Sequence, residues 1–546
     1  MIPTSLRIAA TLCLLIHPAA AQYGESTYQI PAGLVKGGAF IDRFLPMPWV
    51  GKPRSDVWGV DAVKPRDVDN GIEDAEFSYW CTSVVKGPDG KFHNFVCRWR
   101  EDSPKGHFEW PNSIIVHSVA DHPLGPYKVT EEIGKGHNVD AFQLKDGSWV
   151  LYVINACYRA PSINGPWTRG KLEFDTRGRE SVDLSNCTFV RREDGSILML
   201  SRTGFTWVSR DGHLPFRMVS NRSTYPPVEE ARFEDPVIWK DDVQYHLIVN
   251  DWFGRTAFYL RSRDGVKWDW DQGIAYAPGI FRHDDGTLED WHKIERPRVL
   301  QDEKGRATHM FFAVIDDAKE VDKPKDNHSS KAIGVPLSIP RPMRIAGSGE
   351  TLTVTLASES GFNPQDVKTD SIRFGSPSQV DFGQGAKPLS STITGGELVM
   401  SFKAADCGIT DIHAAAKLLA EDAKGGLVYS YALPPDASRT LPLLSADARV
   451  ACVRDEGESL TLRINVGNFG PAASSPVPLH MRFRQNGAKD IHLEGVIPAL
   501  QPFAETTLAL NLPSGKWQSE KDATLLIRIG KQSDTEGLDA RILCPK

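Results

Sequence analysis

Three short stretches set acidic residues at the head of apolar runs. Glu234-Asp235 precede Pro236-Val237-Ile238-Trp239, Asp140 precedes Ala141-Phe142, and Glu295 precedes Arg296-Pro297-Arg298-Val299-Leu300. Carboxyl groups gathered in one hollow suit hydrolysis of a glycosidic bond. One acid protonates the departing oxygen while a carboxylate activates water or attacks the sugar. A third carboxylate nearby raises its neighbour's pKa by like-charge repulsion and keeps it protonated near neutrality. Asp140, Asp235 and Glu295 are the leading catalytic candidates, provided the fold brings them together.

A repeat supplies that proviso. Each acidic stretch opens a strand that meets a turn and returns: Asp146-Gly147 before residues 149–153, Asp241-Asp242 before 245–249, Gly305 before 310–314. Two further units read the same way, residues 80–85 turning at Pro88-Asp89-Gly90 and residues 186–190 turning at Asp194-Gly195. Several units continue into a third strand and a tight turn, as at Gly165-Pro166-Trp167 and Ser262-Arg263-Asp264-Gly265. Spacing of roughly 45–60 residues with no amphipathic helix between predicts blades of a propeller rather than an array of sandwiches. Residues 331–335 are expected to close it. Inner strands of a propeller line a central channel and start on one face, so their first residues converge. The fold class expected is all-β: a five-bladed β-propeller over residues 22–342, then two Ig-like β-sandwich domains over 345–437 and 445–546.

The chain has 546 residues, 40% hydrophobic and 24% charged, too many for one core. Its net charge of −7 argues against a polyanion-binding surface, so no nucleic-acid partner is expected. Residues 1–21 read as a secretory signal: Arg7, an apolar run, then Ala19-Ala20-Ala21. No stretch is long enough to span a membrane, so a secreted or periplasmic protein is expected. Cys452 and Cys544 bracket the last segment and are placed to close it by a disulfide. No CxxC or other metal motif is present and no cofactor is expected, although acids around a channel are compatible with one divalent cation. Oligomeric state is not legible.

The five units, the Glu234-Asp235-Pro236 start, and the Gly-Pro-Trp and Ser-Arg-Asp-Gly-x-x-Trp turns resemble the five-bladed propeller glycoside hydrolases of family 43 and the related family 117. The resemblance covers about residues 60–340. It implies inverting hydrolysis of a poly- or oligosaccharide, with Asp140 as base, Asp235 as the group that tunes pKa, and Glu295 as acid. The first unit departs from it, carrying Trp80 where family 43 has its base. The Asp-Trp-His-Lys-Ile-Glu-Arg-Pro stretch at 290–297 resembles family 117 more closely and makes His292 a rival acid. Aligning Pro236 with Pro297 sets Glu295 opposite Glu234, a further candidate. Trp80 is placed to stack on a sugar, His137, Asn138 and Asn186 to bond hydroxyls, Arg202 and Arg296 to hold an acidic or sulfated substrate, and His328 to face the channel. Interblade packing, strand capping and salt bridges are the structural roles open to the same residues. A non-catalytic carbohydrate-binding propeller and a polysaccharide lyase are the competing functions.

Overall fold

The strands that carry Glu234-Asp235 and Glu295 are buried on both faces through their middles, whereas Asp140–Gln143 alternates. In the hairpin partner Tyr245–Asp251 every residue is buried, and Phe233–Lys240 alternates only at its two ends. Their middles are apolar, at Leu247-Ile248-Val249 and Val237-Ile238-Trp239, because other sheets cover them on either side. The computed structural model describes residues 26–56, 58–59, 61–176, 178–180, 182–410, 414–454, 460–485, 489–512 and 523–543. The expected signal at 1–21 and Cys544 lie outside the described residues.

The protein is all-β. Five sheets follow one another, antiparallel except for a parallel outer pair of Phe216–Met218 with Phe174–Asp175 in the third, with inner strands Phe77–Lys86, Asp140–Gln143, Thr188–Arg191, Phe233–Lys240 and Lys293–Gln301. Each inner strand neighbours the next, and the fifth returns to the first, so the five form a closed cycle. Side chains latch successive sheets. Ser83 Oγ accepts the Ala141 N–H at 3.1 Å, Asp140 Oδ2 accepts that of Phe189 at 3.1 Å, and Thr188 Oγ1 accepts that of Ile238 at 3.2 Å. The fifth sheet has three strands, its last being Ser330–Pro336. There the cycle is closed by an earlier segment: Ile72 exchanges both backbone hydrogen bonds with Ala332, at 3.0 and 3.3 Å. Gly71 sits at φ +76° with the Ala332 carbonyl where a Cβ would fall, so a side chain is excluded at this closure.

Two more β-units follow. In the first, a sheet of Met343–Ala346, Thr351–Leu356, Glu397–Lys403 and Ser390–Thr394 and a second of Arg373–Gly375, Ala416–Glu421 and Leu427–Ala432 enclose Val354, Phe374, Phe402 and Leu418. In the second, eight strands from Leu444–Ala446 to Leu538–Leu543 surround Leu462, Met481, Phe483 and Ile527. Cys452 is disulfide-bonded, whereas Cys81, Cys97, Cys157, Cys187 and Cys407 are buried free thiols. No helix among the described residues is long and apolar enough to cross a membrane.

Buried Arg43 clamps the first of these units to the sheets. Its guanidinium lies 4.5 Å from the Phe40 ring centroid, 4.8 Å from Tyr259 and 4.7 Å from Tyr429, and donates to the Tyr431 hydroxyl at 2.8 Å. Arg43→Ala removes stacking on three segments at once and is expected to cost about 2 kcal/mol or more. Calorimetric melting is the check; an unchanged profile would rule out the clamp.

Candidate active site

The inner strands of the first, fourth and fifth sheets share one irregularity. Trp80 pairs with Cys97 and the next pair is Ser83 with Phe95; Glu234–Asn250 is followed by Val237–Ile248, and Glu295–Ala313 by Arg298–Phe311. Each is a bulge with two residues opposing one, a device that re-aims a side chain. The first bulged residue adopts positive φ: Cys81 +57°, Asp235 +54°, Arg296 +52°. Asn138, ahead of the second inner strand, does so at +59°. None is glycine, and each such residue costs on the order of 1–3 kcal/mol unless its surroundings impose it.

The surroundings are a ring. With the sheets aligned on the Ser83, Asp140 and Thr188 latches, the equivalent positions two residues earlier are Cys81, Asn138 and Asn186, joined by Asp235 and Arg296. Cys81 Sγ donates to Asn138 Oδ1 at 2.8 Å. Asn138 Nδ2 donates to Asn186 Oδ1. Asn186 Nδ2 donates to Asp235 Oδ1 at 2.8 Å and to Glu234 Oε1 at 2.5 Å. Arg296 closes the chain, donating NH1 to Asp235 Oδ1 at 2.8 Å and its backbone N–H to Oδ2 at 3.1 Å.

One residue before four of the five ring members stands a second layer: Trp80, His137, Glu234 and Glu295. Glu234 is the member open to solvent, its side chain 26% exposed. Burial, reinforced by Asp235 and Glu295 and opposed by Arg202, pushes its carboxyl up to about 7. Glu295 goes the other way. Burial alone would raise it, but Lys319 at 2.6 Å and Lys293 at 2.9 Å hold it down to about 2. Two carboxyls on neighbouring inner strands, at the same bulge position, thus differ in protonation near neutral pH. This split distinguishes an acid from a base in sites that use both.

The sequence reading that set Asp140 and Asp235 at equivalent strand starts is corrected by two residues: the latch register sets Asp140 opposite Val237. Asp140 is buried between sheets, 3.4 Å from Arg298, with its carboxyl raised by burial against the pull of Arg298 and Arg296. Trp80 is 3% exposed, with the Lys319 ammonium 4.8 Å from its ring and His107 packed edge-on at 4.7 Å, so no face is left for a sugar. His137 bonds Ser113 Oγ through Nδ1 at 2.9 Å and turns Nε2 toward Cys81 at 3.9 Å. His292 stands by Arg255, and burial with that charge keeps its imidazole below its usual pKa, poorly suited to giving up a proton at pH 7. His328 pairs with Asp316 at 2.9 Å, away from the ring. Arg202 reaches Glu234 at 3.4 Å and Asp183 at 2.8 Å.

Lys293, Lys319 and Cys81 belong to the site and were not among the expected residues. Lys293 was within reach of sequence reasoning, since i and i+2 on a strand share a face. Lys319 comes from the loop 316–329, which carries no repeat signal. A 390 Å³ hollow is lined by Phe233, Arg202, Tyr225, Trp252 and Asp183 among others, and its Arg202 lies 3.4 Å from Glu234. A larger cleft of 670 Å³ lies by Asp89 and His117, outside the ring. Among the described residues two clusters have metal-ligand chemistry, Cys81 with Cys97 and His137, and Glu101 with Asp322 and Asp326.

Because Arg202 opposes the raised pKa of Glu234, Arg202→Met is expected to move the Glu234 midpoint above about 7. A carboxyl-carbon NMR titration reads it directly; no movement would detach Arg202 from the site.

No family profile and no curated protein matches the chain. Among solved structures, the chain is similar to a family 117 glycoside hydrolase from the marine bacterium Zobellia galactanivorans, at 12% identity over 52% of this chain and 89% of that one, with a TM-score of 0.36. The α-L-arabinofuranosidase of Podospora anserina solved with cellotriose matches at 12% identity over 54% and 98%, with a TM-score of 0.35. The catalytic domain of the family 62 α-L-arabinofuranosidase of Coprinopsis cinerea matches at 13% identity over 54% and 98%, with a TM-score of 0.37. Likeness at this level carries no argument about chemistry, which rests here on the site itself.

Proposed function

We propose that the protein is an exported, exo-acting and inverting glycoside hydrolase of poly- or oligosaccharides, built as a five-bladed β-propeller followed by two Ig-like domains. The observation that carries this reading is the pair Glu234 and Glu295: matched bulge positions on adjacent inner strands, opposite protonation states. Glu234, protonated near neutrality, partly exposed and in contact with Arg202 of the hollow, is the general acid. Asp235 beneath it helps keep the proton on, the tuning role expected of it. Glu295 is the ionised partner. A carboxylate near 2 is a weak base, so the reading requires substrate to draw Lys319 away and let Glu295 recover basicity. The hollow lined by Arg202, the partner of Glu234, falls within the size range of small-ligand sites and suits the terminal sugar of a chain.

One observation favours a second reading, a carbohydrate-binding propeller without catalysis: both Glu295 oxygens are held by lysines and Trp80 replaces an acid in the first sheet. The deciding experiment assays wild type, Glu234→Gln and Glu295→Gln against a panel of plant and algal oligosaccharides, with NMR of the fresh product's anomer. Sugar released by wild type and lost in both variants supports hydrolysis; binding without release supports the second reading. A product of retained configuration would overturn inversion.

A further inference from the structure

The loop 316–329 joins the last two strands of the fifth sheet and has no secondary structure of its own. It delivers Lys319 to Glu295. Loops of this length in compact folds are commonly functional and need an anchor. The far half of this one meets Glu101, just past the end of strand Phe92–Arg100, where one carboxylate oxygen each of Glu101, Asp322 and Asp326 lies within 4.8 Å of the others.

This cluster differs from an ordinary solvated acidic patch. Asp322 is 2% exposed, and its Oδ2 has no hydrogen-bond partner. Burial, with Glu101, Asp326 and Asp316 around it, pushes its carboxyl up to about 8. Glu101 Oε2 accepts from Ser78 Oγ at 2.6 Å and Ser329 Oγ at 2.9 Å, and its carboxyl too is raised by burial. Asp326 is oriented by the Lys323 and His328 N–H groups, each at 2.8 Å. Asp316 has its own partner in His328, and the Lys323 ammonium is taken by the Glu320 carbonyl at 2.6 Å. A buried acid aimed into other acids, with no cation paired to it among the described residues, asks for one from outside.

We propose that Glu101, Asp322 and Asp326 form a calcium site that pins the loop 316–329 to the first sheet. The donors are all oxygen, with no nitrogen or sulfur, which selects a hard cation. Calcium–oxygen bonds of about 2.4 Å span oxygens up to about 4.8 Å apart, and the three oxygens lie within that reach of one another, whereas magnesium demands a tighter octahedron and keeps its waters. The proposal stands apart from the hydrolase reading, because its test reads binding and melting rather than turnover.

The full-length protein is stripped with EDTA and melted with and without millimolar Ca²⁺ or Mg²⁺. Binding to the folded state alone is expected to raise Tm by about 2–4 °C with Ca²⁺ and less with Mg²⁺. Tb³⁺ serves as the luminescent probe. Trp80 and Trp99 pack at 4.7 and 5.3 Å on His107, whose backbone N–H bonds Asp322, so sensitised emission is expected, with Ca²⁺ competing it away. Asp322→Asn removes the buried carboxylate whose Oδ2 lacks a partner; its metal-free Tm is expected to equal or exceed wild type while both the Ca²⁺ shift and the Tb³⁺ signal vanish. Glu101→Gln is the second variant and is expected to lose the same responses. An identical wild-type Tm in EDTA and Ca²⁺, or Tb³⁺ emission retained in both variants, overturns the site; an equal shift with Mg²⁺ overturns its assignment to calcium.

Discussion

Arg296→Met is expected to destabilise the protein by about 3–5 kcal/mol, the cost of leaving one charge of a buried pair without its partner. Arg296 is 2% exposed and so is Asp235, which keeps only the backbone N–H of residue 296 and Asn186 when the guanidinium goes. Asp235→Asn is expected to be destabilising for the mirror reason, with one mitigation: asparagine tolerates the left-handed backbone at φ +54° better than most residues. The double variant should recover much of the loss, since it removes both charges. Urea unfolding of the four proteins in a double-mutant cycle reads the coupling. Strict additivity, or a single-variant loss under about 1 kcal/mol, would mean that the inner ring does not hold the sheets together.

The same pair explains what could and could not be seen in the chain. Strand, turn and strand are local patterns, so the repeated Asp/Gly turns behind Asp140, Glu234-Asp235 and Glu295 were legible, as was the alignment of Pro236 with Pro297 that sets Glu234 opposite Glu295. The bulges were not. A bulge at positive φ normally announces itself with glycine, and here the positions hold Cys81, Asp235 and Arg296. Without that mark the second unit slipped by two residues, and Asp140 was read as the equal of Asp235 although it bonds the neighbouring sheet at Phe189. Trp80 was legible as an aromatic at a strand start, but its burial under Lys319 depends on a loop whose path no local pattern encodes. Electrostatics followed the same division. Which residues were acidic was plain; which of Glu234 and Glu295 holds its proton depends on lysines brought in by tertiary structure.

Glu234→Gln is therefore expected to lower hydrolysis by about 10²–10⁴-fold, the usual contribution of a positioned general acid. The wild-type rate should hold below the Glu234 midpoint of about 7 and fall as pH rises through it, because the acid loses its proton. Glu295, at about 2, stays ionised across this range and adds no limb of its own. Stability runs with opposite signs for the two. The folded state holds the Glu234 proton more tightly than the unfolded chain, whose carboxyl titrates near 4.5, so stability declines from about 4.5 to about 7 and is level above. Glu295 contributes stability that is present above about 4.5 and is lost as pH falls toward about 2. Glutamine at 234 cannot ionise, so the inactive variant should melt higher than wild type above the midpoint, with the advantage shrinking as pH falls from about 7 and gone below about 4.5. A functional carboxyl kept protonated by burial and by Asp235 carries this signature, because the environment that arms it also penalises its charge. A variant that lost activity but showed no pH-dependent gain in Tm would point to damaged geometry instead, and would remove Glu234 from the role of acid.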